Sequence, residues 1–346
     1  MVKKSINLIS LILLLVFSGC VPGNEIDDFV GFDSSSPCLY FLSRVEGDSG
    51  LHRVCNNEPP EKIVLLDGIQ MYDLALEARK VVYSQILENG ESSISIADAS
   101  GDAIQEIVNC GTDRCESLAI TPDGSIVYYS RYGRNNGLFA INPDTKEIKT
   151  ISESLPDLVD LSPNGQYLRF HETDSGLLRV ISTETLDLFL SFPADTDLVG
   201  GWLPEGTGFL VGERNVDGQI LISEYMEIDV LSQTQQQVFI LPKGVEFFRP
   251  IYADKEQIFV LARSGVRNNS REVHLIMQTG EIVSTITNAS AYDHSTLQWN
   301  PVDKQLAFQR YDITRSDSVP EIMLWQENTS SETLVAQNAV LPQWLY

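Results

Sequence analysis

Seven times along this chain a short apolar run ends at a turn. The last bulky residue before each turn is Leu76, Ile120, Leu161, Trp202, Ile251, Trp299 and Trp344, with gaps of 44, 41, 41, 49, 48 and 45 residues. A period of that length marks a repeat architecture whose unit cannot bury its own apolar faces and must stack on its neighbours.

Residues 116–151 show the unit most clearly. Four β-rich runs, 117–120, 126–131, 138–141 and 146–151, are separated by Thr121-Pro122-Asp123-Gly124, Gly133 to Gly137, and Asn142-Pro143-Asp144-Thr145. In the first turn Pro presets φ, Asp bonds back to the backbone and Gly takes φ > 0. Four short strands joined by hairpins form a meander. One such sheet has two apolar faces, and radial stacking lets each sheet cover the next, which is the propeller solution. The pattern returns at Leu161–Ile181, Trp202–Ile222 and Trp299–Trp325. It is degenerate near Tyr72 and Phe247, where Glu77-Ala78-Arg79 and Ala253-Asp254-Lys255 replace the Pro-Asp-Gly turn.

Ser/Thr-Pro-Asp/Asn-Gly before an aromatic-ending strand, then a strand of the Leu138-Phe-Ala-Ile-Asn142 type, resembles the TolB-like, WD-related propeller repeat. The resemblance is good at Thr121–Asn142 and Ser162–Ile181, partial at Leu203–Ile222 and Asn300–Trp325, and poor elsewhere. It implies fold and says little about function. The chain has no room for the separate α/β domain of TolB, so that protein's partners are not carried over.

The tail, Val340-Leu-Pro-Gln-Trp344-Leu-Tyr, reads as a first strand with no blade after it. The runs beginning at Cys38, Leu51 and Lys62 read as three strands lacking a first. The tail therefore completes the N-terminal blade and removes the edge an open ring would expose. The expectation is an all-β, seven-bladed propeller of four-stranded antiparallel blades over residues 38–346, with six or eight blades as the alternatives.

The N-terminus gives an address. Lys3 and Lys4 precede a mostly apolar run, Ile6 to Phe17, too short to span a bilayer comfortably. Val16-Phe17-Ser18-Gly19-Cys20 resembles a bacterial lipobox. That resemblance implies a signal peptide over residues 1–19, cleavage before Cys20, lipid on Cys20, and a protein anchored at the extracytoplasmic or periplasmic side of a bacterial membrane. The alternative is an ordinary secretory signal with an incidental cysteine. Residues 20–37 then read as anchor and flexible tether, with Pro-Gly and Ser34-Ser35-Ser36-Pro37.

Loss of residues 1–19 removes two lysines and no acids, taking the net charge from −24 to −26. So acidic a surface disfavours phosphate backbones, and no nucleic-acid partner is expected. Apart from Cys20 four cysteines remain. Cys38 and Cys55 flank the turn Glu46–Gly50, and Cys110 and Cys115 close a short loop, so disulfides 38–55 and 110–115 are expected. Neither spacing fits the usual zinc ligand pairs.

No catalytic constellation stands out. Gly47-Asp48-Ser49-Gly50 looks like the tetrapeptide around a serine-protease nucleophile, but it falls in a hairpin tip where these residues are expected anyway. His52, His171 and His274 lie in predicted strands and are expected as surface or edge imidazoles. His294, just before a first strand, is placed at the channel mouth. First strands line a propeller's channel, and alternation nominates Asp73 (or Ala75), Ala119, Asp160, Gly201, Pro250 with Arg249, Gln298 and Gln343. Of these, Asp73, Asp160, Arg249, Gln298 and Gln343, together with His294, are the candidate binding residues; the set lines a water-filled hole or grips a cation or polar ligand. Trp202, Trp299 and Trp344 share one repeat position, which argues for packing between blades.

The expectation is a monomeric, non-enzymatic scaffold that binds an envelope protein, needs no metal or cofactor, and touches the membrane only through its lipid. Two alternatives stand beside it. One is a propeller enzyme of lactonase or lyase type with a metal in the channel. The other is a carbohydrate-binding module using Tyr132, Tyr225 and Tyr311.

Overall fold

Residues 116–151 fold into the four strands their turns demand. In the computed structural model these are Arg114–Ile120, Val127–Tyr132, Gly137–Ile141 and Ile148–Ser152, paired antiparallel in sequence order. The same sheet occurs seven times, giving a seven-bladed β-propeller. The structure describes residues 37–345 except 56–58, 65–67, 218–219, 241–244, 265–269 and 288–290. The chain divides into two units, Met1–Ser34 and Ser35–Tyr346, and every described residue belongs to the second. The expected signal peptide, Cys20 and nearly all of the tether lie outside the described residues.

Blade 1 combines both ends of the globular unit. Its first strand is the tail, Ala339–Leu345, and the others are Cys38–Ser43, Gly50–Cys55 and Glu61–Val64. Trp344 pairs with Leu39 and Gln343 with Tyr40. Blades 2 to 7 follow within residues 69–111, 114–152, 156–193, 199–240, 245–285 and 292–337. Their first strands are Ile69–Ala75, Arg114–Ile120, Pro156–Leu161, Val199–Trp202, Val245–Tyr252 and Tyr292–Asn300.

There is no single core. The buried apolar residues form seven clusters, each shared by two adjacent blades. Two-residue alternation produces this arrangement. In blade 1, Tyr40 and Leu42 pack against blade 2, while Leu39 and Phe41 pack against blade 7. In blade 6, Ile258 and Val260 face blade 5, and Phe259 and Leu261 face blade 7. The shared tryptophans sit in the same seams. Trp202 packs between blades 4 and 5, Trp299 between 6 and 7, and Trp344 between 7 and 1.

The degenerate turns still make complete blades. Gly124, Gly165 and Gly206 take φ of 72°, 68° and 72° in their turns. Arg79 and Lys304 adopt the same left-handed region at 49° and 55°, a strain of about 1 kcal/mol each that the surrounding sheet must hold. Neighbouring turns also brace one another. The Glu77 and Ala78 amides both donate to the Pro122 carbonyl at 3.0 Å, and Asn164 Nδ2 donates to the Glu205 carbonyl at 2.8 Å.

Both expected disulfides are present, Cys38–Cys55 with Cα atoms 4.3 Å apart and Cys110–Cys115 at 6.3 Å. In blade 5 the second and third strands, Gly208–Asp217 and Ile220–Asp229, form a longer two-stranded ribbon than the repeat read as Trp202–Ile222 suggests.

Strand pairing and the buried side chains of Ala339, Trp344 and Leu345 seal the ring. Trp344→Ala is expected to destabilise the protein by about 3–5 kcal/mol, measured by urea denaturation of the wild type and the variant. A change below about 1 kcal/mol would contradict the tail's role in closing the seam between blades 7 and 1.

Candidate functional site: the channel wall

Successive first strands contact one another at the seams between blades 1 and 2, 2 and 3, 3 and 4, 5 and 6, 6 and 7, and 7 and 1. Their register defines which residues stand at one level. Leu74 pairs with Val81, Ile120 with Val127, Leu161 with Leu168, Trp202 with Phe209 and Trp299 with Leu306. In each case the partner lies seven residues on. Leu74, not Leu76, is therefore the blade 2 counterpart of the other anchors; Leu76 falls just past the strand. This places Asp73 rather than Ala75 at the level of Ala119, Asp160, Gly201, Gln298 and Gln343.

A bulge recurs in every first strand, where the pairing register shifts. In four of them a non-glycine residue of the bulge turns left-handed: Ser117, Arg249, Thr296 and Leu341. The wall residue follows two positions later, as Ala119, Gln298 and Gln343 show. By that rule the blade 6 wall residue is Ile251, not Pro250. A Cβ built on Gly201 would lie 3.3 Å from Ile251 Cγ2, which places these two side by side. The extra residue of the bulge shifts the alternation by one, and a bare period-two count misses it. Arg249 is the bulge residue itself. Its side chain is 59% exposed and stands 3.9 Å from Asp197 Oδ1.

The polar wall residues bond across the seams. Asp73 Oδ2 accepts the Ile120 amide of blade 3 at 2.8 Å. Gln343 Nε2 donates to the Tyr72 carbonyl of blade 2 at 3.3 Å. The Gln298 carbonyl accepts Trp344 Nε1 at 3.2 Å. Asp160 pairs with Arg169 of its own blade, and Arg169 Nη1 reaches the Gly200 carbonyl of blade 5 at 2.9 Å. The Arg169 guanidinium also lies 4.9 Å from the Trp202 ring centre and 4.8 Å from that of Phe209. Arg169 is 2% exposed, and burial lowers its pKa against the opposing pull of Asp160. Burial likewise pushes the Asp73 carboxyl up to about 7; the Ile120 and Leu74 amides oppose this rise and the Asp160 charge adds to it.

All four histidines are buried, which corrects the surface and channel-mouth expectations. His52, His171 and His274 are 5%, 7% and 7% exposed. His294 is 1% exposed, with Nδ1 2.6 Å from the Arg271 carbonyl and its ring against Phe308. Burial lowers its pKa, so His294 packs the seam and does not open on the channel. His171 Nδ1 lies 2.7 Å from Asp157 Oδ1, while its buried Nε2 has no hydrogen-bond partner. Of the three candidate tyrosines, all in strands, Tyr132 is 59% exposed, whereas Tyr225 is fully buried and donates to the Phe247 carbonyl.

Sequence reading also missed a set of buried and half-buried acids near strand ends. Asp113 accepts Arg131 Nε at 2.9 Å, Asp293 pairs with Arg271 at 2.6 Å, Glu321 accepts Arg310 Nε at 2.8 Å, and Glu246 pairs with Arg263. The sequence signal was weak: an arginine on a neighbouring strand, at no fixed spacing. Among the described residues no group of three or more His, Cys, Asp or Glu is placed to hold a metal ion.

No known family profile matches the sequence, and no characterised protein sequence does. Similar solved structures do exist. The β-propeller domain of the Trilobed protease from Pyrococcus furiosus aligns with a TM-score of 0.60 at 13% identity, over 78% of this chain and 84% of that one. TolB from Acinetobacter baumannii aligns at 0.53 and 13% identity, over 90% of this chain and 67% of that one. The fold is a TolB-like β-propeller. An oligogalacturonate lyase in complex with manganese aligns at 0.51 and 14% identity, over 78% and 73% of the two chains. At such identities the likeness concerns fold alone, since one propeller hosts many unrelated functions.

The Asp160–Arg169 pair gives a directional test. Asp160→Asn leaves a buried guanidinium without its counter-charge and is expected to cost about 3 kcal/mol. Arg169→Leu leaves Asp160, whose side chain is 39% exposed, in contact with channel water and is expected to cost about 1–2 kcal/mol. Urea denaturation of both variants checks the order; the reverse order would contradict this account of the seam.

Proposed function

We propose that this chain is a lipid-anchored, extracytoplasmic propeller that presents its surface to an envelope protein and catalyses no reaction. The observation that carries this reading is the use made of the channel's polar groups. Asp73, Asp160 and Gln343 are each engaged by blade groups, so their hydrogen bonding serves the ring before it serves a ligand. The two disulfides support an oxidising compartment. The lipobox-like Val16–Cys20 supports anchoring at Cys20, and the acidic surface favours a partner with cationic groups. No helix among the described residues is long and apolar enough to cross a membrane, and under this reading the lipid alone holds the protein at the bilayer.

A metal-dependent enzyme is the competing reading. One observation favours it: the His171 imidazole, oriented by Asp157, keeps a buried nitrogen unpartnered, and an imidazole held in that way is suited to ligation or proton transfer.

The test combines lipid labelling with metal analysis. Wild-type chain expressed in a bacterium is expected to take up a labelled fatty acid and sediment with membranes, and Cys20→Ala is expected to abolish both. Purified chain is expected to hold less than about 0.1 equivalent of any transition metal, since specific sites fill well above that level. A wild type that takes no lipid overturns the anchor. A stoichiometric metal lost on His171→Ala replaces the scaffold with the enzyme.

A further inference from the structure

Three of the cross-blade contacts at the channel involve wall residues, and they differ in chemistry. Those made by Gln343 and by the Gln298 backbone carbonyl involve neutral groups. Asp160 instead pairs within blade 4 with Arg169, a permanent cation. Only the contact between blades 2 and 3 depends on a lone carboxyl group: Asp73 Oδ2 receives the Ile120 amide at 2.8 Å. We propose that this seam is a proton-controlled joint, with Asp73 as its titrating group.

The surroundings leave Asp73 without a counter-charge. The first strand of blade 1, on one side, carries no charged residue. The first strand of blade 3, on the other, carries Arg114 and Glu116 near its start, mostly exposed and 4.0 Å from each other. In the second strand of blade 2, Val82 stands opposite Asp73, and Lys80 pairs with Ala75 at the strand end. The neighbouring Tyr72 phenol donates to the Leu341 carbonyl. The charge that acts on Asp73 across the channel is Asp160, itself held by Arg169. Ala119, between the two acids, offers no polar group. An ionised Asp73 thus sits in a partly dry wall with only the Ile120 and Leu74 amides to favour it and a like charge nearby. A protonated Asp73 keeps the amide bond without that penalty.

The direction of the pH effect follows from linkage. Burial holds the folded carboxyl at about 7, against an ordinary value of 3.8. The folded chain therefore keeps a proton that the unfolded chain has released. The associated stability is complete below pH ~4, declines as pH rises, and is gone above pH ~7. Between pH 6 and pH 8 this group alone raises the unfolding constant about tenfold, a fall of about 2–4 °C in Tm.

The experiment uses the full chain in detergent, melted at pH 6 and pH 8, beside Asp73→Asn. Asparagine can still accept the Ile120 amide but cannot ionise. The variant is expected to lose about 2–4 °C of the wild type's pH-dependent drop and to melt above the wild type at pH 8. The Asp73 carboxyl carbon, followed by NMR in the wild type, is expected to titrate near pH 7. A variant that keeps the whole drop, or a wild-type carboxyl that titrates below pH 5, overturns the joint.

Discussion

Each blade carries apolar side chains on both faces, and a four-stranded sheet can cover neither from within. Everything else in this molecule answers that constraint. Seven clusters lie in seven seams, so each blade is buried chiefly by its two neighbours. An open ring would leave two faces wet. At about 25 cal/mol per Å² of apolar surface, even a few hundred Å² left uncovered would cost several kcal/mol, comparable to the stability of a typical domain. The tail strand avoids that cost by entering blade 1 beside Cys38–Ser43.

The same constraint explains why the architecture was legible in the sequence. Stacking demands one repeated solution, and the turns report it. Pro-Asp-Gly at 122–124 and Pro-Asn-Gly at 163–165 mark where a first strand ends and a second begins. The turn at Arg79 was harder to read because that residue adopts a left-handed backbone without being glycine. Sheet pairing holds it there, and no local preference announces it.

The channel was legible in outline and misread in detail. Asp73, Asp160, Gln298 and Gln343 do share one level, as alternation suggested. The bulge in each first strand broke the simple count at blade 6, moving the wall residue from Pro250 to Ile251 and leaving Arg249 at the kink. The histidines were misread for a different reason. A strand covered on both faces buries successive residues whatever their polarity, so His171, His274 and His294 go inside once a carboxylate, hydroxyl or carbonyl meets each ring. Pairings of that kind join distant positions, and a single sequence does not display them.

Polar groups on the wall therefore work first as fasteners between sheets that apolar packing already holds. Closure of the ring is the claim from which the rest follows. Amide hydrogen exchange tests it most directly. If the tail is a true member of blade 1, the amides of Ala339–Leu345 and Cys38–Ser43 should be as protected as those of Val127–Tyr132 in blade 3. Fast exchange at both ends, with blade 3 still protected, would show a ring that is not sealed where its termini meet.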